Sequence, residues 1–307
     1  MRIATDISAA QPATAAPVES PWRRFASEFA ESKLALAGLG LLVAIVLAAI
    51  AAPIISPQNP YDLAQLDVLD SKLAPGEPSM SGKTYWLGTD DQGRDMLSAI
   101  FYGLRISLAV GLTSTVIALA IGLALGLAAA YFGGWVDALI MRIADIQLSF
   151  PAILIALVLL AVLGQGVDKI IIALVTVQWA YYARTVRSSA LVERQKEYIE
   201  AARVLALSRP RIVFRHLLPN CLPPLIVVAT VQVAHAILLE STLSFLGLGL
   251  PITKPSLGLL ISNGFQYLLS GTYWISFYPG LALVLSILAI NLVADQLRDI
   301  LNPRLRK

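Results

Sequence analysis

The sequence predicts an all-α, polytopic membrane protein with six transmembrane helices. Three observations carry that prediction. The chain is 57% hydrophobic and only 14% charged over 307 residues, where soluble domains average about 25% charged. Several apolar runs reach or approach the roughly 20 residues that cross a bilayer. The Lys and Arg residues gather in alternate connecting segments, as the positive-inside rule requires.

Residues 1–21 are rich in Ala, Pro, Ser and Thr without apolar periodicity, and are expected to form a disordered tail within a cytoplasmic segment 1–33. The first apolar run begins only at Leu34, behind Arg23, Arg24 and Lys33. A cleaved secretory signal would place its apolar core nearer the start, so 34–55 reads as an uncleaved first span with its N-terminus inside. Residues 56–99 form a polar outer loop broken by Pro57, Pro60, Pro75 and Pro78. With the first span they make an N-terminal segment 34–105.

A five-span core is expected over 106–296. The second span, 106–132, carries Gly122 and Gly126 four residues apart on one face, a small-xxx-small pattern for close helix contact. Gly133-Gly134 makes a turn with Trp135 at the interface. The third span, 140–163, contains Pro151, which predicts a kink or local break. Gly164-Gln165-Gly166 turns the chain outside. The fourth span, 167–186, ends in an expected aromatic belt of Trp179, Tyr181 and Tyr182. The fifth covers 221–243, followed by a Gly- and Pro-rich outer stretch at 244–273 whose one charge is Lys254. The sixth covers 274–296, and a basic cytoplasmic tail occupies 297–307. This arrangement puts 133–140, 187–220 and both termini in the cytoplasm.

Several chemistries are excluded. Gly82-Lys83-Thr84 resembles the end of a phosphate-binding loop, but the required first glycine is Glu77. ATP, if used, is therefore hydrolysed by another polypeptide. One cysteine, Cys221, and two isolated histidines, His216 and His235, make no transition-metal site. Asp90, Asp91 and Asp95 lack the alternation of a calcium loop and read as a solvated or structural turn. No Gly-x-Ser-x-Gly is present, and no span holds two catalytic Asp residues. The carboxylates within reach of the membrane are Asp145, Glu240 and Asp295. Asp145 lies near Arg142 and Asp295 near Arg298 at cytoplasmic ends, so both are expected to be paired or interfacial rather than to relay ions. Glu240 reads either as a structural polar contact or, with Phe245 and Gly247, as part of an outer gate. The positive charge is split among loops, which suits membrane orientation and not nucleic acid.

The longest charged stretch, 183–220, holds eight of the 23 Lys and Arg residues. Residues 194–207 contain strong helix formers and neither Gly nor Pro, with Tyr198, Ala201, Ala202 and Leu205 on one expected face. Ser208 then starts a second helix with Pro210 in its first turn. The resulting knob suits a protein partner through its alanines, Glu200 and flanking arginines, or an anionic lipid surface through the arginines alone.

The segment EYIEAARVLALSRPRIVFRHLLPN resembles the Glu-Ala-Ala loop of permease subunits of binding-protein-dependent ABC importers. The matching positions are Glu200, Ala201, Ala202, Leu218 and Pro219, with His216 or Leu217 near the aliphatic position. Ala206 stands where the family usually has Gly. Either Ala206 takes a left-handed backbone at a cost of about 1 kcal/mol or more, or the turn sits later, around 207–209. YWLGTDDQGRDMLSAIFYGLRISL, YFGGWVDALIMRIADIQLSFPAIL, LLESTLSFLGLGL and LRDILNPRLR are similar to segments of the dipeptide, oligopeptide and nickel permeases, of the C type.

The resemblance implies the type I importer permease fold. It also implies a second, B-type permease subunit, two ATPase subunits carrying ATP and Mg, an external solute-binding protein and no cofactor in this chain. Tyr198, Glu200, Ala201, Ala202, Arg203, Leu205 and Ala206 would dock on an ATPase as a coupling helix. The implied place is a bacterial cell membrane, the inner one in a Gram-negative cell. The implied cargo is a dipeptide or oligopeptide, with nickel chelates or another small solute as alternatives. An ion-coupled carrier is the competing class.

Overall fold

The computed structural model describes residues 20–79 and 82–301. Most of the tail expected over 1–21, and the terminal Arg304, Arg306 and Lys307, lie outside them. Among the described residues the chain is helical, with two isolated bridges, Pro78 to Thr84 and Thr89 to Asp95, in the outer segment.

The first helix, α1 (Pro21–Glu31), falls inside the segment expected to be tail. Ser20 caps it by accepting from the Arg23 N–H, and Pro21 supplies a fixed φ in its first turn. Phe29 and Ala35 pack with Val293, and Gln296 donates to the Glu28 carbonyl at 3.0 Å. The α1 helix is thus held against the C-terminal helix. The span α2 (Lys33–Ile55) comes directly after it, capped by Ser32.

Residues 56–95 fold into a cap rather than an open loop. A Cβ on Gly93 would stand 2.0 Å from the Asp67 carbonyl oxygen, so only glycine permits that crossing. Arg94 is 1% exposed, ion-paired with Asp90 at 3.6 Å, and donates to the Ile252 carbonyl at 3.0 Å. The aspartate cluster is accordingly a structural turn around a buried arginine. Gln58 accepts from the Asp95 N–H at 2.6 Å, and the Trp274 indole donates to the Thr89 carbonyl at 3.2 Å. The Trp274 bond ties the cap to the last long helix, and the Gln58 N–H, donating to the Ser98 hydroxyl at 3.2 Å, ties it to the helix that follows the cap.

Asp95 also starts α3 (Met96–Phe132), accepting from the Ser98 N–H and hydroxyl. The helix begins ten residues before the expected 106, because the apolar run reaches back past Arg105 to Met96, where the Asp95 cap sets its start. Its 37 residues extend about 55 Å, well past the hydrocarbon core of about 30 Å. After Gly133 comes α4 (Gly134–Leu148), and after a break at 149–151, α5 (Ala152–Leu163). The two are bent by 90° at Pro151, the break that proline predicts. The fourth long helix, α6 (Val167–Glu193), continues seven residues past the expected 186.

That extension changes the meaning of its aromatic cluster. Tyr182 is fully buried and the Trp179 indole donates to Gln147 Oε1 at 2.6 Å. Both belong to the helix interface rather than to an interfacial belt. The small residues of α3 are the other half of it. A Cβ on Gly122 would lie 2.6 Å from the Trp179 carbonyl oxygen, and one on Gly126 would lie 2.5 Å from that of Ala183.

Three polar links then hold α4 on α6. The Arg187 guanidinium donates to both carboxylate oxygens of Asp137 at 2.5 and 2.6 Å, Arg184 pairs with Asp145, and the Gln147 amide donates to the Val177 carbonyl at 3.1 Å. Asp145 is paired as expected, but with Arg184 across the helix interface rather than with Arg142.

The chain then forms α7 (Glu197–Val204), a turn, and the short α8 (Arg209–Arg211). A π-helical segment, Ile212–Leu217, leads without interruption into α9 (Leu218–Phe245). The stretch 244–273 is not a simple loop. It contains α10 (Leu257–Phe265), whose Gly258 sits so close to α9 that a Cβ would lie 2.1 Å from the Ser241 carbonyl oxygen. The last helix is α11 (Trp274–Leu301).

Four helices, counting 209–245 as one, are long and apolar enough to span a membrane, and the bent α4–α5 pair makes a fifth candidate. The 27-residue α6 is long enough but is interrupted by Asp168, Lys169, Arg184 and Arg187. The helical architecture is the expected one, while the apolar criterion reaches five of the six expected spans.

Gly122→Val is expected to destabilise the α3–α6 pair by about 1–3 kcal/mol, lowering the thermal midpoint in detergent. Gly40→Ala, which meets nothing within 4 Å, is the neutral control. Burial raises the Asp90 carboxyl from 3.8 to about 6 against the pull of Arg94. Its contribution to cap stability is present below the unfolded value and is lost as pH rises through about 6. Amide exchange in the cap, corrected for intrinsic rate, should speed up from pH 4 to 7. Asp90→Asn should flatten that slope while lowering cap stability overall, since Arg94 then stays buried without its counter-charge.

Candidate functional site

The charged loop forms the helical hairpin that the sequence predicts, with a shorter first helix and a different facing. Ile199 and Ala202, three apart, are buried toward the membrane domain. Glu200, Ala201, Arg203, Leu205 and Ala206 are exposed, and Val204 is 86% exposed. The expected face of Tyr198, Ala201, Ala202 and Leu205 is therefore divided. Ala202 anchors the helix, while Ala201 and Leu205 are presented outward. The missed members are Ile199 inside and Val204 outside. Helical spacing from Ala202 locates the first, and the exposed apolar patch 204–205 the second.

Tyr198 has a separate task. Its hydroxyl donates to Glu193 Oε2 at 2.5 Å and also meets the side chain of Asn220. Burial and the Glu193 carboxylate raise the phenol above its ordinary range. One side chain on α7 thus joins the end of α6 to the beginning of α9. Arg194 reinforces the base of the hairpin by donating to the Ala130 carbonyl of α3.

The turn settles at Ala206. Its φ is +52°, in the left-handed region. The Leu207 N–H bonds the Ala202 carbonyl at 3.1 Å, and the Ala206 N–H bonds that of Arg203 at 2.9 Å. This is a Schellman ending with alanine at the position glycine normally fills. The C-terminus of α9 ends in the same motif, with Leu248 bonding Leu243, Gly247 bonding Ser244, and φ +78° at Gly247. The later turn around 207–209 is not the one formed.

Glu240 lies within the chain's own interior. It is 0% exposed and accepts from the Ser107 and Ser244 hydroxyls at 2.8 Å each and from Ser241 at 3.3 Å. This serine cage joins α9 to α3. Phe245 packs edge-on against Phe265 at 5.7 Å, and the Gly247 carbonyl accepts from Gln165 at 2.8 Å. The three outer-gate candidates therefore share a region but face different neighbours. Asp295, the remaining carboxylate, lines with Arg298 a cleft of about 910 Å³ between α6, α9 and α11. Glu193 and Asn220, the two partners of Tyr198, line it too. Among the described residues no group of three or more His, Cys, Asp or Glu could hold a metal ion.

A helical membrane domain with a projecting hairpin is the arrangement of a transport permease, and the chain belongs to the family of binding-protein-dependent transport system inner membrane components, which matches residues 121–307. A second match, to the N-terminal TM domain of oligopeptide transport permease C, covers residues 20–75. The chain is 38% identical over 287 residues to the dipeptide transport system permease protein DppC of Alkalihalophilus pseudofirmus, covering 94% of this chain and 91% of that one. It is 41% identical over 294 residues to the Escherichia coli protein of the same name, covering 95% and 96%. A putative peptide transport system permease protein of Brucella suis is 42% identical over 269 residues, covering 88% and 87%. The fold matches a chain of the inward-facing MetNI methionine ABC transporter with a TM-score of 0.55 and 23% identity, over 67% of this chain and 98% of that one. The protein is thus a multi-pass membrane transport component with the type I importer permease fold, and not an enzyme.

Replacing Ala206 by Gly should relieve about 1 kcal/mol of left-handed strain. Amide exchange within α7 is expected to slow by a factor of about five.

Proposed function

We propose that this chain is the C-type permease subunit of an ATP-driven importer of dipeptides or oligopeptides. The observation that carries the cargo is the set of peptide permeases that this chain matches at about 40% identity along nearly their whole length. In this reading a B-type permease completes the translocation path. A solute-binding protein delivers the peptide outside, and two separate ATPase subunits bind ATP and Mg. The chain crosses a bacterial cell membrane six times, with α6 as the fourth of the six spans and both termini in the cytoplasm. The charged residues of α6 are tolerated because they are paired, Lys169 with Asp168 near its start and Arg184 and Arg187 with Asp145 and Asp137 of α4.

The hairpin is where the ATPase docks. Glu200, Ala201, Arg203, Val204 and Leu205 offer a small exposed surface with both charge and apolar area. Ala201 lets a partner backbone come close. Tyr198 and Ala202 act from behind, fixing the helix to α6, α9 and the membrane domain. When the ATPases close, α7 moves as a unit. Its Tyr198 bonds then transmit that displacement to α6 and α9, two of the three helices that line the cytoplasmic cleft.

Uptake of labelled dipeptides by the importer, reconstituted with its partner subunits and binding protein, tests the cargo. Glu200→Arg reverses a charge at the dock and should cut ATP-driven uptake by at least about tenfold with normal membrane insertion. Wild-type uptake in that variant would place the ATPase elsewhere. Tyr198→Phe should lower uptake per ATP hydrolysed, leaving hydrolysis itself intact.

A further inference from the structure

His235 belongs neither to the hairpin nor to the outer-gate region described above. His235 is exposed on α9, ten residues before Phe245, which is about 15 Å of helix and within the apolar span. An ionisable side chain at that depth is costly against lipid and instead faces protein or a water-filled cavity. Its Nδ1 lies 3.0 Å from Gln232 Oε1, and Gln232 is 6% exposed.

The cytoplasmic cleft supplies the cavity. Asn220, Pro224, Val227 and Val231 line it along one face of α9, and Gln232 is the lining residue farthest along that helix. His235 is the next residue on that same face, one turn beyond Val231. The charged side chains Glu193, Asp295 and Arg298 also line the cleft, at the cytoplasmic ends of α6 and α11. Its walls are otherwise mostly valine, proline and alanine.

Apolar walls with one deep polar pair suit a ligand whose constant part is polar and whose variable part is not. A peptide is such a ligand. Its amide N–H and C=O groups need partners when water is stripped away, while its side chains vary. The imidazole keeps one ring nitrogen free of the Gln232 contact, and the Gln232 amide adds donors. We propose that Gln232 and His235 form a mid-membrane station that binds the backbone amides of a peptide on its way into the cytoplasmic cleft. This rests on the peptide-importer reading and adds to it the position of a substrate contact.

The test uses the complete importer in proteoliposomes. In a Cys221→Ala background, His235→Cys is probed with a charged methanethiosulfonate, which reacts only where water reaches the thiol. Ile50→Cys, on the exposed face of α2, is the lipid-facing control. His235→Cys should react at least about tenfold faster than the control, and peptide delivered by the binding protein with ATP should slow it. His235→Leu should raise the KM for peptide uptake about tenfold, the loss of one hydrogen bond. His235→Gln should restore it, with thermal midpoints unchanged. A thiol unreactive in every nucleotide state, because lipid or the second permease covers it, overturns the station. So does reactivity that peptide leaves unchanged, or a wild-type KM in His235→Leu. Failure of the wild-type importer to take up any peptide, measured first, sinks the peptide reading itself. An unreactive thiol in an importer that does take up peptides sinks the station alone.

Discussion

The rest of the molecule depends on the close approach of α3 and α6. Within a bilayer, burying apolar surface between helices gains little over lipid contact, so association rests on packing and polar links. Gly122 and Gly126 remove the side chains that would hold the two backbones apart, and Tyr182, Ala183 and Val186 occupy the space. Once α6 is fixed this way, its polar residues can be covered. Arg184, Arg187 and the backbone around Val177 hold α4, and Arg194 returns to the end of α3. The hairpin begins where α6 ends, at Glu193, and inherits its position from that helix.

The cap over 56–95 obeys a different constraint. It is built around Arg94, a buried cation whose desolvation is offset by Asp90 and by a carbonyl from the α9–α10 connection. A second buried polar group, the Glu240 carboxyl, is satisfied by serine hydroxyls rather than by a cation. Arg94 and Glu240 each join segments distant in sequence, 94 to 252 and 107 to 240. Polar residues thus do in this chain what long-range apolar contacts do in a soluble core.

Much of this was legible in the sequence, for identifiable reasons. The all-helical membrane fold, the break at Pro151, the Gly122–Gly126 contact and the hairpin all arise from local patterns. The start of α3 at Met96 was not legible, because Arg105 interrupts the apolar run and the Asp95 cap that sets the start is a single polar residue in a polar segment. The continuation of α6 to Glu193 hid behind its arginines, and so turned an interior Trp179 and Tyr182 into an apparent belt. Residues 56–95 and 244–273 look like loops because their glycines and prolines are read locally. Their order comes from partners far along the chain, Arg94 to Ile252 among them. In the hairpin, the residue types were legible but their facing was not. Ala202 and Ala201 are equivalent by composition, and only the packing of Ile199 decides which one turns inward.

The π-helical segment at Ile212–Leu217 has a geometric consequence. Its Leu218 N–H bonds the Val213 carbonyl, five residues back, so that stretch holds one residue more than an α-helix of equal rise. Each residue of an α-helix advances the chain by about 100° around its axis. The extra residue therefore works as an angular offset between the membrane-spanning part of α9 and the hairpin before it. Spelled with one residue fewer, the same sequence would keep its spans and its knob, yet aim the knob at a different point of the compass. The joint between transport path and hairpin is specified by an angle as much as by any side chain.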